Sequence, residues 1–171
     1  MSAAFCSRRG RRLYLRPFIA GDEPALLALL TGLSAETIYA RYLMPLPYLS
    51  PGIVQREVER LKALQSAGSL VLVAAEELGG SIVAIAELAR NGRAGQAEAA
   101  LLVVDAYQRE GIGRAIATRL VTVAPDHGIT SVTAEVRHDN RAIRRLVSRL
   151  GLPYSAETSS GTTRYRFATV S

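Results

Sequence analysis

Six residues in the second half of the chain, Gln108-Arg109-Glu110-Gly111-Ile112-Gly113, have the make-up of an anion-binding loop. They follow the apolar run Ala99-Ala100-Leu101-Leu102-Val103-Val104 and open a stretch of helical periodicity. Where a strand feeds a helix N-terminus, consecutive backbone N–H groups point outward and the helix dipole adds partial positive charge, which suits a phosphate. Gly111 and Gly113 let the ligand approach the backbone without meeting a Cβ. Two carboxylates stand on the strands that lead here: Glu98, ten residues before Gln108, and Glu87 on the preceding strand. An isolated charge in a central strand is costly, which favours a chemical role for Glu98.

Spacing excludes two familiar phosphate loops. A P-loop needs Lys-Ser/Thr after its last glycine, and Gly113 is followed by Arg114-Ala115. A dinucleotide fingerprint needs Gly or Ala three residues after Gly113, and that position is Ile116. The fingerprint also belongs to a first βαβ unit, whereas four strands precede this loop.

The elements that must position the loop read as follows. Leu13 to Pro17 alternates and predicts a strand. Asp22 caps a helix to about Leu30, Ser34 starts a short helix through Tyr42, and Ser50-Pro51 opens a longer one to about Ala67. Ser69 to Glu77 and Ser81 to Arg90 predict a hairpin turning at Leu78-Gly79-Gly80. A turn over residues 91–95 leads into the strand Ala97 to Val104. Ile112, Ile116, Leu120 and Val123 mark an amphipathic helix, and Val132 to Val136 a half-buried strand. Asp139 caps a helix from Asn140 to Leu150 that stops at Gly151. A last strand pair, near 152–156 and 163–169, joins through Ser159-Ser160-Gly161. The expected fold class is α/β: a mixed sheet of about six to seven strands with helices on both faces, and a parallel βαβ unit around Gly111.

Composition narrows the classes. The chain has 171 residues, one cysteine (Cys6), two histidines and a formal net charge of +6. A length of this order builds one core without disulfides or metals. One Cys and two His supply no metal centre. No apolar run approaches the roughly 18 residues of a membrane span, and the N-terminus lacks a secretory h-region, so a cytoplasmic location is expected. The basic charge lies in Arg8, Arg9, Arg11 and Arg12 and in Arg141, Arg144, Arg145 and Arg149, without interleaved aromatics to stack bases. Nucleic acid is therefore not an expected partner. Residues 1–11 read as a flexible basic tail ahead of a single domain spanning 12–171.

Gln108-x-x-Gly111-x-Gly113 after an apolar strand, followed by an Asn140 helix ending in Leu150-Gly151, resembles the GNAT N-acetyltransferase superfamily. The element order from Leu13 to Thr169 matches that fold over nearly the whole chain. Leu15-Arg16-Pro17, Asp22-Glu23-Pro24, the stretch Leu33 to Tyr42 and Pro45-Leu46-Pro47 look like the catalytic domain of bacterial protein-lysine acetyltransferases. There it is often fused to a cyclic-nucleotide-binding or acyl-CoA-synthetase-like domain, and neither lies within these residues.

The resemblance implies acetyl-CoA as cosubstrate and an amine acceptor, a protein lysine first and a small amine second. Backbone groups of Leu102, Val103 and Val104 would bond the pantetheine amides. Gln108 and the N–H groups of Arg109, Glu110, Gly111, Ile112, Gly113 and Arg114 would hold the pyrophosphate. Asn140 would contact the pantetheine arm or simply start its helix, and one of Arg141, Arg144 and Arg145 could meet the 3′-phosphate. Glu98 would be the general base, with Glu87 as its rival, as a binder of the cationic acceptor or as an ordinary strand carboxylate. The tyrosine that often serves as acid, seven residues after the Asn140 position, is replaced by Val147, leaving Tyr107, Tyr154 or solvent to protonate the thiolate. A non-catalytic acyl-CoA-binding module is the other class, and a homodimer is common in the family.

Overall fold

A computed structural model of the chain describes residues 2–76 and 80–169. The strands are β1 (Ala3–Cys6), β2 (Arg12–Pro17), β3 (Leu70–Ala75), β4 (Ile82–Arg90), β5 (Gln96–Val103), β6 (Ser131–Arg137), β7 (Tyr154–Ser159) and β8 (Thr162–Ala168). They form one sheet in the order β1-β2-β3-β4-β5-β6-β8-β7. Every pairing is antiparallel except β5 with β6. The helices are α1 (Glu23–Thr31), α2 (Ala35–Tyr42), α3 (Pro51–Ser66), α4 (Ile112–Val123) and α5 (Arg141–Arg149). The expected mixed sheet is present, with eight strands where six to seven were expected. The predicted turn at Leu78-Gly79-Gly80 lies largely outside the described residues.

The additional strand corrects the reading of residues 1–11 as a flexible tail. Ala3–Cys6 pairs with Arg12–Leu15, so the arginines sit in and beside a tight turn with Gly10 at φ +79°. Phe5 packs on the core. Charge density suggested a solvated arm, but alternation of half-buried and exposed residues over four positions suffices for an edge strand.

Helices cover the sheet from both sides. Ile112, Ile116 and Leu120 of α4 and Val147 of α5 pack over Ala86, Leu88 and Ala97. On the opposite face Leu26, Leu30, Ile38, Val58 and Leu61 cover Val71, Val73, Ile85 and Leu102. β3 is buried along its whole length, which is why its sequence, Leu-Val-Leu-Val-Ala-Ala, shows no polar alternation. Among the described residues no helix is long and apolar enough to cross a membrane.

Two expected caps are replaced. Asp22 does not cap α1 through its side chain; the carboxylate is held by both terminal nitrogens of buried Arg16, at 2.6 and 2.7 Å, and accepts the Ile19 N–H at 2.9 Å. At α5 the capping oxygen belongs to Asn140, which accepts the Ile143 N–H at 3.1 Å, while Asp139 pairs with Arg137. Competition from a nearby guanidinium explains both cases.

The feature that opens a site is the short β5–β6 ladder. It comprises three residue pairs, from Gln96 with Ser131 to Glu98 with Thr133. Beyond Glu98 the two strands are not bonded to each other. Ala100, Leu101 and Val103 are consequently only half-buried although β5 lies mid-sheet.

Candidate active site

The loop between β5 and α4 presents a row of free donors. Among the described residues, none of the N–H groups from Arg109 to Arg114 has a protein acceptor; the first helical bond runs from Ala115 N–H to the Gly111 carbonyl, at 3.0 Å. Orphan donors at a helix N-terminus form an anion site, so the geometry fits a pyrophosphate. Arg109, at φ +62°, and Gly111, at φ +89°, turn the chain into α4. A Cβ on Gly113 would meet the Leu101 and Val103 side chains at 3.5 and 3.6 Å, which is ordinary contact. Gly111→Ala is therefore expected to cost about 1–2 kcal/mol of stability through backbone strain, whereas Gly113→Ala stays near wild type. Urea unfolding of both variants checks this contrast.

Glu110 has a role that the sequence did not reveal. Its side chain turns inward, 1% exposed, and accepts the Ser7 hydroxyl at 2.6 Å. Its other oxygen has no hydrogen bond but faces Arg11 Nε at 3.4 Å. The Glu110 carbonyl accepts the Arg8 N–H at 3.0 Å. Only its backbone N–H is left for a ligand, and its carboxylate anchors the β1–β2 turn beneath the loop.

A second bracket holds the loop from the side. Asp105 accepts the hydroxyls of Ser34, at 2.6 Å, and Thr37, at 2.8 Å. Gln108 donates to the Thr37 hydroxyl at 3.0 Å and to the Val103 carbonyl at 3.1 Å. Partial burial works the other way, but hydrogen bonds from Ser34 and Thr37 hold the Asp105 carboxyl below its ordinary value. Gln108 is thus a brace of β5 and α2. Sequence reasoning missed Ser34, Thr37 and Asp105 as its supports, because about 70 residues separate the partners and no local signal joins them.

The strand register corrects which peptide groups face the split. Val104 donates its N–H to the Val83 carbonyl and accepts the Tyr107 N–H, both at 2.9 Å. With Val104 turned to β4, Leu102 opposite Ile85 turns the same way, by the period of two. Leu101 and Val103 are left facing the opening toward β6.

Glu98 is exposed at the vertex where β5 and β6 part. The expected cost of burying it therefore does not arise, and its accessibility is what a proton acceptor requires. Glu87 is buried and accepts Arg41 at 2.9 Å and Arg60 at 2.8 and 3.0 Å. Arg60 also grips Glu57 at 2.7 and 2.8 Å, and Tyr42 donates to Glu57 at 3.2 Å. Two guanidiniums occupy Glu87, which removes it as a rival base or as a binder of the acceptor.

The remaining candidates separate cleanly. Asn140 uses its side-chain oxygen as a cap. Val147 of α5 is buried in the core that also takes in α4 and the sheet. Tyr107 donates to Glu76 at 2.5 Å under the Arg11 guanidinium, and that hydrogen bond, with burial behind it, pushes the phenol above its ordinary value. Tyr154 lies edge-on to Tyr165 and tilted against Phe167. Arg144 donates to the His138 carbonyl at 2.7 Å, while Arg141 and Arg145 are exposed.

The model of the Acetyltransferase (GNAT) family matches residues 36–152, which span β5, the loop, α4 and α5. The chain belongs to the GNAT acetyltransferase family. GNAT acetyltransferases use acetyl-CoA as the acetyl donor. It is 33% identical over 151 residues to Acetyltransferase Pat of Mycolicibacterium smegmatis, an alignment covering 88% of this chain and 44% of that protein. The chain thus spans less than half the length of this curated relative. The crystal structure of the GNAT domain of S. lividans PAT superposes with a TM-score of 0.82 at 26% identity, covering 98% of this chain and 96% of that one. The structure of yncA from Salmonella typhimurium with its cofactor acetyl-CoA shares the fold at TM-score 0.71 and 20% identity, covering 93% and 95% of the two chains.

Proposed function

We propose that this GNAT domain acetylates the side-chain amine of a protein lysine, with Glu98 as the general base. The observation that carries the reading is an exposed, unclaimed carboxylate at the vertex of the β5–β6 split, on the strand that feeds a free anion cradle. Free lysine has a pKa of about 10.4, so attack at neutral pH requires a proton acceptor beside the amine. Glu98 takes that proton directly or through one water. The pyrophosphate rests on the N–H groups from Arg109 to Arg114, and the pantetheine arm lies along Leu101 and Val103 like an added strand. The Val103 N–H meets the oxyanion that develops on the acyl carbonyl. With Val147 in the core and Tyr107 committed to Glu76, solvent protonates the departing thiolate. The resemblance of Leu15-Arg16-Pro17, Leu33 to Tyr42 and Pro45-Leu46-Pro47 to bacterial protein-lysine acetyltransferases favours a protein acceptor over a small amine.

The test is thiol release from acetyl-CoA with lysine peptides, polyamines and aminoglycosides as acceptors. Turnover is expected on lysine peptides. Turnover confined to the small amines would replace the acceptor class. Acetyl-CoA binding without turnover on any amine would make the domain a binding module.

A further inference from the structure

The acceptor side of the split has a charge pattern that a purely cationic substrate does not match. On the sheet face that carries Glu98, the half of the sheet beyond β5 forms a polar groove of about 410 Å³, which includes Arg93, Glu98, Thr133, Glu135, Arg164 and Arg166. Three guanidiniums here face two carboxylates. Glu135 is already satisfied: it accepts Arg164 at 2.8 Å and the Thr162 hydroxyl at 3.0 Å. That pairing leaves Arg93, Arg166 and Glu98. Among the described residues, neither Arg93 nor Arg166 makes an ion pair or donates a side-chain hydrogen bond. A polyamine or aminoglycoside would bring several positive charges into a groove whose unpaired groups are net positive, and repulsion would oppose it.

Register supplies the spacing. Glu98 lies beside Thr133, and Thr133 beside Arg166, so base and guanidinium share one cross-strand row. Two strand spacings separate their Cα atoms by roughly 10 Å. With its amine at Glu98, an extended lysine peptide has side chains one or two residues away within reach of Arg166 or, at the turn before β5, of Arg93. A guanidinium fork recognises a carboxylate through two parallel hydrogen bonds.

We propose, resting on the lysine-acetylation reading above, that the domain selects lysines flanked by an aspartate or glutamate, with Arg93 and Arg166 holding the flanking carboxylate. The amine and the anion occupy separate ends of the groove. Arg93 and Arg166 therefore set specificity and do not touch the reacting atoms.

Lysine peptides with Asp, Ala or Lys at each of the two positions on either side decide the matter. The wild-type protein is expected to show kcat/KM about tenfold higher for the best Asp peptide than for its Ala counterpart, mainly through KM. In Arg93→Gln/Arg166→Gln that ratio falls below two. Arg93→Glu/Arg166→Glu should invert the preference toward Lys-flanked peptides, an effect that damage to the fold would not produce. Calorimetric acetyl-CoA affinity within twofold of wild type shows each variant folded. Equal rates on Asp and Ala peptides, or an Asp preference that survives both arginine substitutions, overturns the proposal and leaves lysine acetylation standing. Turnover on small amines alone overturns both, and the two failures are read from the same panel.

Discussion

Glu98→Gln should lower kcat on a lysine peptide at pH 7 by about 10²–10⁴-fold, the range for loss of a positioned general base. Acetyl-CoA affinity measured by calorimetry should stay within about twofold, because the carboxylate is not part of the cradle. The residue is exposed, so a substitution of equal size leaves the fold intact. The sharper reading is the pH profile. Without the base only the spontaneously neutral amine reacts, roughly one lysine in 2,500 at pH 7 for a pKa near 10.4. The variant's rate should therefore climb about tenfold per pH unit and approach wild type in strongly alkaline solution. Full activity at pH 7, or a variant rate flat with pH, would remove Glu98 from the proton path.

The anion cradle was legible in the sequence for a local reason. A strand, a loop with glycines two apart and an amphipathic helix are neighbours along the chain, and each carries its own periodicity. The same locality explains why Ser34 was foreseen as a cap, since its hydroxyl accepts the Thr37 N–H three residues on. What was not legible is long-range. The carboxylate of Glu110 looks in sequence like one more polar loop residue, and only the β1–β2 turn, over 100 residues away, explains its burial. The choice of Leu101 and Val103 over Leu102 and Val104 depends on which neighbour each peptide faces, a property of the β4 register. For Glu98 the reason drawn from the sequence, the cost of burying its charge, does not hold. The charge is tolerated because the sheet opens there, and the opening comes from the three-pair β5–β6 ladder.

Glu87→Ala should be strongly destabilising, by about 3 kcal/mol, because it leaves the Arg41 and Arg60 guanidiniums short of a buried counter-charge. Glu57 alone cannot offset both, since it already accepts Arg60 and Tyr42. Urea unfolding gives the magnitude, and a loss below about 1 kcal/mol would mean that water takes over the role of Glu87. Acid should reproduce part of the effect. Burial pushes the Glu57 carboxyl up, but hydrogen bonds and charge from Arg60, then Arg41, outweigh it and hold the group below its ordinary value. A folded-state pKa below the unfolded one stabilises the fold at pH above the unfolded value, about 4.3, and that contribution disappears as pH falls through the folded pKa. Wild-type stability should therefore decline below about pH 4. The damage also has a functional direction. Arg41 sits in α2, which packs beside β5 and β6 and carries Tyr39 under the Arg137 guanidinium, at 4.0 Å. Loosening Arg41 should raise KM for the acceptor peptide more than it weakens acetyl-CoA: Thr37 of the same helix supports the cradle through Asp105 and Gln108, but the cradle keeps a second anchor in Glu110 on the β1–β2 turn. Equal losses for both substrates would show instead that α2 and the cradle move as one body.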